Sequence, residues 1–227
     1  MKPRFRGVEM MRSVVVVTMG MLALASVAGA QTRAGASDAD HGYVEGVIQS
    51  AFGNVTSQSY GAEGGVTIRP NLQVFGEVGR VSNVATSQIS AAAQTIASYL
   101  SQTQANVAFS VKEPAIFGMA GIKFTVPTGG AVRPYVLGGA GVANVKQDVA
   151  FTIGGTDVTS TLPSLGVTLG TDLSGSFTKP MLDVGAGAMW TPTARLILDL
   201  QFRYGRIFAE DGGINVVRAG IGVGVRF

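Results

Sequence analysis

Ten charged side chains are spaced so that they can act on one another: Glu45, Glu63, Arg69, Glu77, Lys123, Asp183, Asp199, Arg203, Arg218 and Arg226. A pair of carboxylates, such as two among Glu63, Glu77, Asp183 and Asp199, is equipment for general acid–base catalysis, one holding a proton while the other takes one. Here Lys123, Arg203 and Arg218 fall on the same inner surface, and a cation beside a carboxylate favours its charged form. The ten therefore read as structural ion pairs inside the fold, and no catalytic residue is assigned. His41 is the one histidine and cysteine is absent. Those two counts exclude a disulfide framework, cysteine-ligated zinc or iron–sulfur sites and thiol catalysis, and with them most metal constellations. Glycine spacings such as Gly139-Ala140-Gly141, Gly185-Ala186-Gly187 and Gly220-Ile221-Gly222 imitate phosphate loops, but none completes the fingerprint at a strand-to-helix junction. The expectation is a non-enzymatic chain with no cofactor and no metal.

Alternation decides which elements carry these charges, because successive strand residues point to opposite faces. Running back from Phe227 to Val216, one face reads Phe227, Val225, Val223, Ile221, Ala219 and Val217. The other is glycine with Arg226 and Arg218 at its ends. In Arg195–Phe208, Leu196, Leu198, Leu200, Phe202 and Tyr204 share one side, and Ile197, Asp199, Gln201 and Arg203 the other. Lys179–Trp190 repeats the pattern. Gly42–Gly53, Ser59–Arg69, Leu72–Val81, Pro114–Val126 and Arg133–Gln147 bring the count to eight strands. Short connections with Pro, Gly, Asn or Thr follow strands two, four and six, whereas residues 82–113 and 148–178 are long and open on the opposite side. That asymmetry fits an antiparallel up-and-down barrel crossing a membrane. The apolar faces would meet lipid, and the charges would plug an interior that eight strands leave just wide enough for side chains. Phe52, Tyr60, Phe202 and Tyr204 are expected near one rim, and Phe124, Tyr135, Trp190 and Phe227 near the other. A secreted barrel holding an apolar ligand inside is the soluble alternative.

The chain has 227 residues, 46% of them hydrophobic and only 14% charged, with 32 glycines. The formal charge of +3 arises in residues 1–30, where Lys2, Arg4, Arg6 and Arg12 face Glu9. No basic patch remains to suggest nucleic acid. Those residues also hold an apolar run, Ser13–Ala25, and the small-x-small triplet Ala28-Gly29-Ala30, the layout of a cleaved signal peptide. An uncleaved anchor is the other reading of that run. Residues 31–41, with His41, form a leader, and 42–227 the barrel domain, with both termini on the periplasmic side. In the second outer loop Ile89, Ala93, Ile96 and Leu100 recur at helical spacing, so a short amphipathic helix is expected there.

RPYVLGGAGVANV (133–145), GAGAMWTPTARLILDLQFRYG (185–205) and VRAGIGVGVRF (217–227) resemble the outer-membrane β-barrel domain superfamily, with its OmpA-type and opacity-type members. The resemblance covers about residues 42–227. It implies an eight-stranded barrel in a Gram-negative-type outer membrane, in contact with lipid and lipopolysaccharide. It also implies that Phe227, Val225, Val223 and Ile221 form the terminal signal read by barrel-assembly machinery. The function expected is structural or surface interaction, by a monomer, with a partner at the outer loops. The alternative is a narrow porin-like channel for small solutes or ions.

Overall fold

The computed structural model describes residues 42–128, 130–209 and 212–227; the signal segment 1–30 and the leader 31–41, His41 included, lie outside the described residues. Among the described residues eleven strands form: β1 (Gly42–Phe52), β2 (Ser57–Arg69), β3 (Leu72–Val81), β4 (Val107–Lys112), β5 (Ala115–Thr125), β6 (Val132–Lys146), β7 (Asp148–Ile153), β8 (Thr156–Asp157), β9 (Ser176–Trp190), β10 (Leu196–Ile207) and β11 (Ile214–Arg226). Eight of them close into a barrel in the order β1-β11-β10-β9-β6-β5-β3-β2. Every pairing in it is antiparallel, and β1 seals against β11 from Tyr43↔Arg226 to Phe52↔Val217. Closure leaves the barrel no open edge.

The β2–β3, β5–β6 and β9–β10 connections lie at one end, here the turn end, together with Gly42 and Phe227. Gly42 and Phe227 exchange both backbone hydrogen bonds. At Pro70-Asn71 the turn needs a positive φ, 66°, at Asn71, a conformation asparagine tolerates. The loop end carries the two long connections. Outward positions are apolar: Val44, Ile48, Val136, Val184, Leu200, Phe202, Ile221 and Val223 are all exposed. A band of that extent is what lipid requires of a spanning strand. Phe124, Trp190 and Phe227 stand on this outer surface at the turn end, but Tyr135 does not. It is buried in the lumen, because β6 places Tyr135 in phase with Leu137, and the bulky residue after Pro134 points inward.

The lumen is layered. Charged and amide side chains fill its middle, and apolar side chains pack on either side of them. At the loop end these are Ala51, Val81, Ala115, Phe117, Val145, Ile207 and Val216, and at the turn end Leu137, Met189 and Ile197. Glycine makes room where rings cross the wall. A Cβ on Gly187 would lie 2.4 Å from the Tyr135 ring and from the Leu200 carbonyl. Gly187→Ala should therefore displace Tyr135 and lower barrel stability by about 1–3 kcal/mol, the usual cost of overpacking. Thermal unfolding in detergent checks this, and an unchanged midpoint would refute it.

The long loops are folded. Helix α1 (Ser87–Leu100) occupies the first, where the helical spacing placed one. The second holds a 3-10 turn (Thr159–Leu165) and the short helix α2 (Thr171–Ser174). β4 from the first loop pairs with β7 of the second, from Val107↔Ile153 to Lys112↔Asp148. β8 adds a third strand. β6 and β9 pair as far as Lys146↔Ser176, whereas Asp148–Ile153 leaves the barrel to join this separate sheet.

Candidate functional site

Two places concentrate chemistry: the charged layer in the lumen and the folded cap over the loop end. Alternation carries Glu45 (β1), Glu63 (β2), Glu77 (β3), Lys123 (β5), Asp183 (β9), Asp199 and Arg203 (β10) and Arg218 (β11) inward, and all eight are buried. Arg203 spans the lumen. Its guanidinium donates to Glu63 Oε2, to Glu77 Oε2 at 2.8 Å and, through Nε, to Gln201 Oε1 at 3.2 Å. Arg218 ties Glu77 Oε1 (2.9 Å) to Asp183 Oδ2 (2.5 Å). Lys123 Nζ sits 2.6 Å from Glu63 Oε1 and 3.8 Å from Asp199 Oδ2. It also lies 4.7 and 4.4 Å from the ring centres of Tyr43 and Tyr135, within range for cation–π attraction. The two tyrosine hydroxyls donate to Glu63 and Asp199. Arg218 lies 4.5 Å from the Phe117 ring centre. Glu63 thus takes a lysine, an arginine and a tyrosine at once.

Three of the ten residues behave differently from the sequence reading. Glu45 has no ion-pair partner among the described residues; its Oε1 accepts from Gln201 Nε2 at 2.6 Å. Gln201 stands between Glu45 and the cations, so an amide fills the place expected for a base. Arg69 is exposed at the end of β2, because the β2–β3 register shifts between Thr67 and Arg69 and takes it out of phase with Glu63. Arg226 is half-buried at the turn-end mouth, where its Nε donates to the Ala194 carbonyl at 2.7 Å. It lies too far along β11 to reach the central layer. The lumen residues not assigned to it beforehand are Gln49, Gln201 and Tyr43, together with Tyr135, which the sequence reading set at the rim. Gln201 already shared the inner face with Asp199 and Arg203, so alternation carried that signal. Glu45 Oε2, Asp183 Oδ1, Asp199 Oδ1 and Arg218 Nε have no hydrogen-bond partner among the described residues. Ile221, Val223, Val225 and Phe227, from which the terminal assembly signal is expected, are exposed along one outer face of the last strand.

Over the loop end, α1 turns Ile89, Ala93, Ala97 and Leu100 onto Val149 and Phe151 of β7, with Leu162 and Leu173 from the helical turns. Val107, Phe109 and Val111 of β4 pack against the same cluster, as does Val55 from the short β1–β2 connection. The cap thus has an apolar core of its own. One carboxylate anchors it: buried Glu113 accepts from the Thr86 N–H at the start of α1 (2.9 Å), while Asn83 Oδ1 accepts from the N–H groups of Ala85 and Glu113. Burial pushes the Glu113 carboxyl above its ordinary range, against the smaller pull of the Thr86 and Gln147 hydrogen bonds. A folded cap therefore holds this proton to higher pH than an unfolded loop does. The resulting stability is complete below the ordinary carboxylate range and is lost as pH rises through the raised value. Loop cleavage by added protease should accelerate on going from about pH 4 toward pH 8. Glu113→Gln keeps an acceptor for Thr86 and should flatten that profile; matching profiles in the two proteins would refute the assignment.

Comparison with known proteins agrees with this geometry. The sequence profile of a family described as outer membrane protein beta-barrel domain matches residues 20–227. Neisserial surface protein A is similar in structure, with TM-score 0.50 and 16% identity over 82% of this chain and 96% of that one. The attachment invasion locus protein Ail of Yersinia pestis gives 0.45 and 14%, over 82% and 97%. The N-terminal beta-barrel domain of Pseudomonas aeruginosa OprF gives 0.44 and 16%, again over 82% and 97%. No curated protein sequence matches the chain.

Proposed function

Because the chain belongs to the outer membrane protein beta-barrel domain family, residing in that membrane among its lipids, we propose that it is a non-enzymatic surface protein whose working part is the loop cap. The observation that carries this reading is the cap itself. Two loops, separated in sequence by a complete barrel hairpin, share one sheet and one apolar core. Loops that merely connect strands need neither. The barrel below is a rigid support, its lumen filled by ion pairs and apolar layers, so a structural or binding role at the surface fits better than permeation. The chain is exported by cleavage before Gln31, is inserted by barrel-assembly machinery reading the strand that ends in Phe227, works as a monomer, and meets lipopolysaccharide and a surface partner at the loop end.

An epitope inserted at Gly154-Gly155, a hairpin with positive φ and open space around both residues, tests the exposure of the cap. Antibody should label intact cells; labelling only after the outer membrane is permeabilised would overturn the orientation. In planar bilayers the purified barrel should show no stable stepwise openings, and reproducible single-channel steps would establish the channel instead.

A further inference from the structure

All five acids of the barrel strands, Glu45, Glu63, Glu77, Asp183 and Asp199, are buried in the lumen. Among the described residues the outer wall therefore carries cations alone. Arg69 stands at the turn end of β2, whereas Arg80 on β3, Lys146 on β6 and Arg206 on β10 stand at the loop end, each exposed and within one residue of the end of its strand. Arg206 is already engaged, with the Asn215 side chain and the Gly212 carbonyl. Arg80 makes no hydrogen bond or ion pair among the described residues. It lies in register between Tyr60 and Ile116, both exposed on the wall. The same row runs on to Asn144 and Thr178, where Asn144 Nδ2 donates to Thr178 Oγ1 at 2.9 Å. Lys146 follows Asn144 by two residues, in phase with exposed Val142. Its Nζ lies 3.7 Å from Asp148 Oδ2, an exposed pair of small worth. Lys112 of the cap sheet pairs in register with the same Asp148, so Arg80, Lys112 and Lys146 share one acid.

These groups stand where the apolar band ends, the depth at which a lysine or arginine on the lipid side ceases to be costly. Lipid headgroups meet the wall at that height. A guanidinium binds phosphate through two parallel hydrogen bonds, and an ammonium binds it as a point charge. Neighbouring strands lie about 4.8 Å apart and residues along a strand about 3.4 Å, so two strands and two residues separate Arg80 from Lys146 by about 12 Å. One phosphate does not bridge that gap; two on a disaccharide do. The geometry points to a site for a lipid whose sugar headgroup carries two phosphates, one on Arg80 and the other on Lys146 and Lys112. Asn144 and Thr178 then hydrogen-bond the sugar between them, and the acyl chains run down the wall over Ile116 and Val142, both exposed. This rests on the reading that the loop end faces the outer leaflet, and it names which lipid of that leaflet the barrel holds. The cap takes part, because pairing of β4 with β7 brings Lys112 to the rim.

The barrel, purified from outer membranes and stripped of lipid in detergent, is titrated with diphosphoryl lipid A, monophosphoryl lipid A and phosphatidylglycerol, and bound lipid is counted by native mass spectrometry. The expected result is one diphosphoryl lipid A per barrel, held at least about tenfold more tightly than either of the others, because the second phosphate binds within the complex once the first is seated. Arg80→Gln and Lys146→Gln should each bring diphosphoryl lipid A down to the monophosphoryl level. Both side chains are exposed, so the heat-dependent gel shift of the barrel should stay where it is. Arg69→Gln, at the turn end, should leave the preference intact. Equal affinity for the three lipids overturns the proposal, as does a preference that survives both loop-end substitutions or falls equally with Arg69→Gln. The epitope at Gly154-Gly155 separates this site from the reading beneath it. Labelling of intact cells without any lipid preference removes the site alone, whereas labelling only after permeabilisation removes both.

Discussion

Arg203→Met should destabilise the barrel by about 3–5 kcal/mol, the cost of stripping one partner from a buried ion pair. Arg203 is wholly buried and reaches from β10 across the lumen to Glu63 on β2 and Glu77 on β3. Methionine fills much of the same volume but leaves both carboxylates short of a cation in a medium that penalises unpaired charge. The readout is the temperature at which an unboiled sample loses its folded mobility on an SDS gel, which should fall well below that of the parent. Adding Glu63→Gln and Glu77→Gln to Arg203→Met should recover a large part of the loss, because removing both sides of a buried pair is far cheaper than removing one. No recovery in the triple variant would mean that Arg203 acts through packing, for instance on Phe75, 5.5 Å from its guanidinium.

Phe151→Ala should have an effect of similar size in a different place. Phe151 is fully buried at the centre of the cap and its ring lies 6.4 Å from that of Phe109. Truncating a buried phenylalanine costs about 3–5 kcal/mol, more than a small unit of this kind has to spare. The cap should open locally while the barrel stays closed. The long loops would then be cut rapidly by protease, while the heat-dependent gel shift of the barrel would stay at the parental temperature. Loss of both together would show that cap and barrel form one cooperative unit; loss of neither would remove Phe151 from the cap core.

The eight barrel strands were legible because a half-lipid, half-lumen strand writes its alternation plainly, as in Leu196–Tyr204 and Val217–Phe227. Helix α1 was legible for the same reason at another period. β4 and β7 were not, because VAFSVK and DVAFTI are six-residue runs in Ser- and Thr-rich loops, and they pair with each other across more than thirty intervening residues. β4 has no local partner and so no turn signal beside it; β7 has one, the Gly154-Gly155 turn, but it leads only to the two-residue β8. Among the lumen residues, seven of the eight that form the central layer make the ion pairs their types suggested, whereas Glu45 meets an amide. Counting charges gives an amide no weight, although it can bridge two carboxylates, as Gln201 does. Arg69 was lost to a register shift, which spacing alone does not reveal. Tyr135 was lost because an aromatic at a strand end fits either the lumen or a lipid interface, and only the phase of β6 decides.

The clasp between β4 and β7 has a consequence for insertion. Their sheet needs both loops on the same side of the barrel, since the β5–β6 hairpin separates them in the chain. On the orientation proposed above, the loops are expected to cross the bilayer as pliable chain and to fold where they arrive, so that the folded cap makes the crossing one-way.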